Sequence, residues 1–128
     1  MTKFEELGIK QTILDGLREI GFDEAFPIQE ATIPVLLSGR DVIGQAHTGT
    51  GKTAAFGISM LSAIDANKSI QGLVLAPTRE LALQITDEIK KFAKHTGIKV
   101  VSIYGGQGMG VQLQALRDRK STRLNSSH

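Results

Sequence analysis

The feature that most constrains this chain is the run Ala46-His47-Thr48-Gly49-Thr50-Gly51-Lys52-Thr53. It lies between a short stretch, residues 41–46, that reads as a buried strand and a helical pattern from about Gly51 to Ile64. In such a strand-to-helix loop the backbone N–H groups of Thr48 to Thr53 can converge on one concavity, at the positive end of the helix that follows. Gly49 and Gly51 let the backbone approach a ligand with no Cβ in the way. Lys52 would then reach the β- and γ-phosphates of a nucleotide as a point charge, and the Thr53 hydroxyl would supply one oxygen to Mg²⁺. The strict phosphate-loop pattern has Gly where this chain has Ala46, but the main-chain donors do not depend on that side chain. A ligand-free turn is the alternative, and the strand, helix and Lys-Thr pair in their proper order weigh against it. The loop implies a bound nucleotide without saying which one.

The rest of the chain fits around that loop. Ile13, Leu14, Leu17 and Ile20 mark one face of a short helix that Gly21 can end in a left-handed conformation. A second helix opens with Pro27 in its first turn and runs toward Leu37, with Pro34 expected to kink or divide it. Residues 72–76 form a short apolar run closed by Pro77. Leu81, Ile85, Ile89 and Phe92 trace another helix, and residues 98–104 are rich in β-branched side chains. Short strands alternating with helices imply an α/β fold whose parallel sheet is covered on both faces.

Composition narrows the chemistry. There is no Cys, which removes disulfides and thiolate metal sites, and no His, Asp or Glu cluster has metal-ligand spacing. The charged, polar start is unlike a signal peptide, and no stretch approaches the roughly 18 apolar residues that span a bilayer. A cytoplasmic protein without membrane contact is the expectation. The net charge of +2 comes from the end of the chain: Asp118 to His128 holds three of the fifteen cations and one of the thirteen anions. Residues 1–117 are therefore formally neutral, and any nucleic-acid reading has to rest on placed residues rather than bulk charge.

Four segments taken together resemble the first RecA-like domain of the DEAD-box ATP-dependent RNA helicases: GFDEAFPIQ (21–29), AHTGTGKT (46–53), APTRELA (76–82) and YGG (104–106). The resemblance implies a RecA-like P-loop domain, parallel sheet flanked by helices, truncated. It covers nearly all of residues 1–117, with 1–30 as the Q-motif region and 31–117 as part of the ATP-binding domain. In the family the Q motif reads adenine, and it matches Gly21, Phe22, Pro27, Ile28 and Gln29, with an upstream aromatic at Phe4. A side-chain amide at Gln29 can accept from the adenine N6 amino group and donate to N7, a pairing guanine cannot offer. Phe4 would stack on the base. Taken alone, without the loop, Gln29 reads rather as a solvated helix residue and Phe4 as an apolar anchor for the N-terminus. The ATP site implied by the resemblance thus comprises Phe4, Phe22, Gln29 and the loop Ala46, His47, Thr48, Gly49, Thr50, Gly51, Lys52 and Thr53. Within it Lys52 and Thr53 are the catalytic pair, and His47 is a tolerated side chain at a variable position. Pro77, Thr78, Arg79, Gly105 and Gly106 match the residues that grip the RNA sugar-phosphate backbone in the family, which implies RNA bound with little sequence preference.

Two departures matter. Ala25-Phe26 stands where the family commonly has Pro-Thr, which leaves the fine shape of the adenine pocket open. The triplet Asp23-Glu24-Ala25 is a decoy for the family's namesake motif, because it precedes the phosphate loop and lies between helices. The true Asp-Glu pair, the Ser-Ala-Thr switch and the second RecA-like domain are absent from these 128 residues. Phosphoryl transfer needs a positioned water and positive charge on the γ-phosphate. ATP hydrolysis by this chain alone is not expected. A DNA-acting motor of the same superfamily, or a nucleotide-binding module without catalysis, are the other readings. Val111, Leu113 and Leu116 suit a helix, whereas Asp118 to His128 offers only Leu124 as an apolar residue and is expected to be a disordered tail rather than a buried strand. One DNA string encoding those eleven residues is a common sequencing-library adapter, which points to a non-native end.

Overall fold

The computed structural model describes residues 2–46, 51–65 and 71–104, and the backbone of 121–126. Their order is α1 (Gln11–Glu19), α2 (Pro27–Leu37), α3 (Lys52–Ala63), β1 (Leu73–Ala76), α4 (Arg79–Phe92), β2 (Lys99–Ile103) and β3 (Ser121–Ser126), preceded by a single 3₁₀ turn at Phe4–Glu6.

The apolar spacing of α1 buries Ile13, Leu14 and Leu17. Gly21, at φ 81°, lets the chain reverse. Its N–H then bonds to the Arg18 carbonyl and that of Phe22 to the Leu17 carbonyl, the paired closure of a Schellman end. Phe22 is thereby set against the start of the chain. There Phe4 N–H donates to the Asp23 carbonyl, Ala25 N–H donates to the Thr2 carbonyl, and Lys3 bridges to Glu24 in antiparallel fashion. The decoy triplet thus serves as backbone support. Phe4 is buried, its ring stacked on Phe22 at 6.3 Å between centroids, and Phe22 in turn meets Phe92 at 5.8 Å.

Leu17, Ile33, Ile58, Ile89 and Phe92, one or two from each helix, share a core in which each is at most 1% exposed. Gly57 on α3 faces Ile89 on α4 closely enough that a Cβ would sit 3.2 Å from the Ile89 side chain, so the two helices cross on a small residue. Pro34 does not divide α2, which runs unbroken to Leu37. A proline near the end of a helix removes one backbone bond, and the flanking burial of Ile33 and Thr32 holds the remaining turns in place.

The sheet is parallel, in the order β1-β3-β2. Val74 lies opposite Leu124, and Leu124 opposite Ser102. Two expectations are corrected here. Residues 41–46 are not a strand, and Ile43 is fully exposed, at 101%. A parallel strand needs hydrogen-bonding neighbours, and none of the described strands lies beside it. Conversely, Ser121–Ser126 is not disordered: it is the central strand, flanked on both sides. Main-chain ladder bonds from β1 and β2 are indifferent to side-chain polarity, so a polar hexapeptide can fill the gap between them. Coverage also differs from expectation. α4 packs against the strands, while Leu73 and Leu75 remain 54% and 64% exposed. The expected helix around Val111 to Leu116 lies outside the described residues.

Candidate functional site

The site is built where α2 meets the start of α3. Gly51 is the N-cap of α3 in a left-handed conformation, φ 85° and ψ 25°, and among the described residues no side chain caps the helix. The first N–H groups of α3 therefore face outward at the positive end of a twelve-residue helix, a ready place for an anion. Lys52 curls back, its Nζ donating to the Ala46 carbonyl at 2.6 Å, so the ammonium closes the loop from which it springs. Thr53 follows, half-buried, in the first turn. A cavity of about 740 Å³ opens alongside, running from Gly51, Lys52 and Thr53 past Ile28 to Leu81 and Ile85 of α4, and neither Gln29 nor Phe26 lines it. That is within the usual size range of small-molecule sites.

Gln29 approaches the same point from α2. It is 1% exposed, and both ends of its amide are used within the protein. Oε1 accepts from the Phe26 N–H at 2.8 Å, and Nε2 donates to the Gly51 carbonyl at 3.1 Å. Phe26 has no side-chain oxygen to return the bond, so only the glutamine half of a capping box closes the start of α2. Gly51 is required by this contact as well as by its φ, since a Cβ there would lie 2.2 Å from Gln29 Nε2. The amide expected to read adenine is thus a clasp between α2 and the loop in this arrangement.

Phe4 is likewise engaged within the protein in this arrangement. The residue expected to cover a base is 2% exposed, as residues 2–4 pair with 23–25 and set its ring against Phe22. Phe22 keeps 37% of its surface exposed, between Phe4 and Phe92. The Phe26 ring lies beside Gly51, its Cδ2 2.9 Å from where a Gly51 Cβ would be. Its position is visible in the sequence only as the departure at Ala25-Phe26.

A second group of expected residues gathers at the carboxyl ends of β1 and β2. Thr78 caps α4, its hydroxyl accepting from the Leu81 N–H at 3.1 Å, which turns the chain sharply after Pro77. Arg79 opens the helix with its guanidinium 4.7 Å from the centre of the Tyr104 ring, a cation–π pair between the segment after β1 and the segment after β2. Tyr104 stands in the sequence directly before the glycine pair, and its role as a platform for Arg79 depends on strand order, which spacing does not reveal. His47, Thr48, Gly49, Thr50, Gly105 and Gly106 lie outside the described residues. Among the described residues no group of three or more His, Cys, Asp or Glu side chains could hold a metal, and no helix is long and apolar enough to cross a membrane.

Comparison with known proteins places this geometry. Residues 26–126 match the family model for the DEAD/DEAH box helicase. The chain is 52% identical over 118 residues to the DEAD-box ATP-dependent RNA helicase CshA of Bacillus cereus, covering 91% of this chain and 22% of that protein. It is 50% identical over 114 residues to the DEAD-box ATP-dependent RNA helicase RhpA of Helicobacter pylori, covering 89% and 23%. Among solved structures, a DEAD box protein from the hyperthermophile Methanococcus jannaschii superposes with a TM-score of 0.91 at 34% identity, over 99% of this chain and 35% of that one. The RNA-helicase Prp28 from Chaetomium thermophilum bound to ADP gives 0.84 at 43% identity, over 98% and 32%. The chain thus spans less than a quarter of the length of the curated relatives it matches.

Proposed function

Because the chain belongs to the DEAD/DEAH box helicase family, we propose that it is the part of an ATP-dependent RNA helicase that binds the phosphates of ATP, and that the longer protein couples ATP hydrolysis to local opening of RNA duplexes. The observation that carries this reading is the left-handed start of α3 at Gly51, with Lys52 beside it and the Gln29 clasp behind. On binding, Lys52 exchanges the Ala46 carbonyl for phosphate oxygens, and the N–H groups at the start of α3 hold the same anion. The Thr53 hydroxyl would hold a Mg²⁺, which when bound would offset the phosphate charge. Adenine selection by Gln29 requires its amide to leave Phe26 and Gly51. Arg79, braced on Tyr104, with Pro77, Thr78 and the pair Gly105-Gly106, holds the RNA backbone, which positions a strand without reading its sequence.

The test is RNA-stimulated ATP hydrolysis by the longer protein containing this segment. Stimulation by RNA but not by single-stranded DNA supports the reading, and equal stimulation by both moves the DNA-acting motor ahead. GTP hydrolysed as well as ATP would remove the adenine role from Gln29.

A further inference from the structure

We propose that Phe26 is the aromatic face on which the base of the bound nucleotide lies. The inference rests on the nucleotide-binding reading of the loop and adds the residue that would hold the other end of the ligand. Six aromatic side chains are present, five Phe and one Tyr. Phe4 and Phe92 are buried, Phe22 is stacked between them, Phe56 is half-buried against the core, and Tyr104 lies under Arg79. Phe26 is 45% exposed, and the ring pairs among the described residues, Phe4 with Phe22 and Phe22 with Phe92, do not include it.

Its backbone is fixed. The N–H donates to Gln29 Oε1, and the carbonyl accepts from the N–H groups of Gln29 and Glu30 at 2.9 and 3.0 Å. The ring is thereby held beside Gly51, one residue before Lys52. Nothing in helix physics favours Phe there: it stands at the N-cap of α2, where Ser, Thr, Asp or Asn would supply an oxygen. An exposed ring at a position that costs helix stability, next to the phosphate site, points to a ligand with a flat apolar face. With the Gln29 amide engaged inside the protein, stacking is the contact left for a base in this arrangement. Stacking adds affinity without choosing among bases.

The experiment compares binding of Mg·ATP and Mg·tripolyphosphate to the 128-residue chain by calorimetry. Phe26→Ala is expected to weaken Mg·ATP on the order of tenfold and to leave Mg·tripolyphosphate unchanged, with Phe26→Tyr close to the parent. The chain has no Trp, so Phe26→Trp supplies a second readout: indole emission quenched by Mg·ATP and not by Mg·tripolyphosphate. Equal loss of both ligands in Phe26→Ala, or none, together with no quenching in Phe26→Trp, overturns the proposal while leaving the loop reading intact. A parent that binds neither ligand overturns both.

Discussion

The helices of this chain bury their apolar stripes in a shared core, whereas the sheet side is covered on one face only: Ala76 and Val100 are buried, but not every apolar residue on that side is. Leu17, Ile33, Ile58 and Ile89 are completely buried, whereas Leu75 is 64% exposed and Ile43 entirely so. An amphipathic helix completes its own hydrogen bonds and needs only a neighbour for its apolar stripe, which the other helices provide. A strand needs partners for its backbone as well as for its faces, and those partners can come from far along the chain. The phosphate loop stands at the seam. Its helical side is anchored through Gly51 to Gln29, and its strand side, residues 41–46, is not paired.

The largest expected effect tests that contrast directly. Leu17→Ala should cost about 2 to 5 kcal/mol of stability, because it opens a cavity in the shared core. Leu75→Ala should cost no more than about 0.5 kcal/mol, since most of its side chain is already in water. Equal shifts in urea denaturation would mean that the sheet face is covered in solution. Hydrogen exchange sharpens the comparison at the backbone: amides in Ser121–Ser126 should be protected by pairing on both sides, and those of 41–46 should exchange freely. Fast exchange across 121–126 would restore the expectation of an extraneous tail.

Gln29→Ala comes next, at about 1 to 3 kcal/mol, because it strands the Phe26 N–H and the Gly51 carbonyl in a partly buried place. A neutral result would show that Gln29 is not a clasp. The smallest effect is at the surface, where Lys94 first and His95 second hold the Glu19 carboxyl below its ordinary 4.5. A lowered folded-state value means that this contribution is complete above 4.5 and is lost as pH falls through the lowered value. The stability difference between the parent and Glu19→Gln should therefore shrink on acidification and stay small throughout, as for any exposed pair.

Much of this was legible in the sequence where the information is local. Helix ends at Gly21 and Pro27, the helix starting at Gly51, the strands at 73–76 and 99–103 and the burial of Phe92 follow from spacing and turn chemistry. What spacing could not show depends on distant partners. The 41–46 stretch has the apolar character of a strand but lacks a neighbour, while the polar 121–126 segment has two neighbours and little apolar character. At the site, the types and order of residues were readable, but the engagement of Gln29, the burial of Phe4 and the pairing of Arg79 with Tyr104 arise from antiparallel bridging and strand order.

The central claim is that the start of α3 and the Lys52 ammonium together hold a nucleotide's phosphates. Calorimetric titration of Mg·ATP into the parent chain and into Lys52→Ala tests it most directly. Binding by the parent that is lost or at least tenfold weaker in the variant is the expected result. Equal affinity in the two would contradict the account.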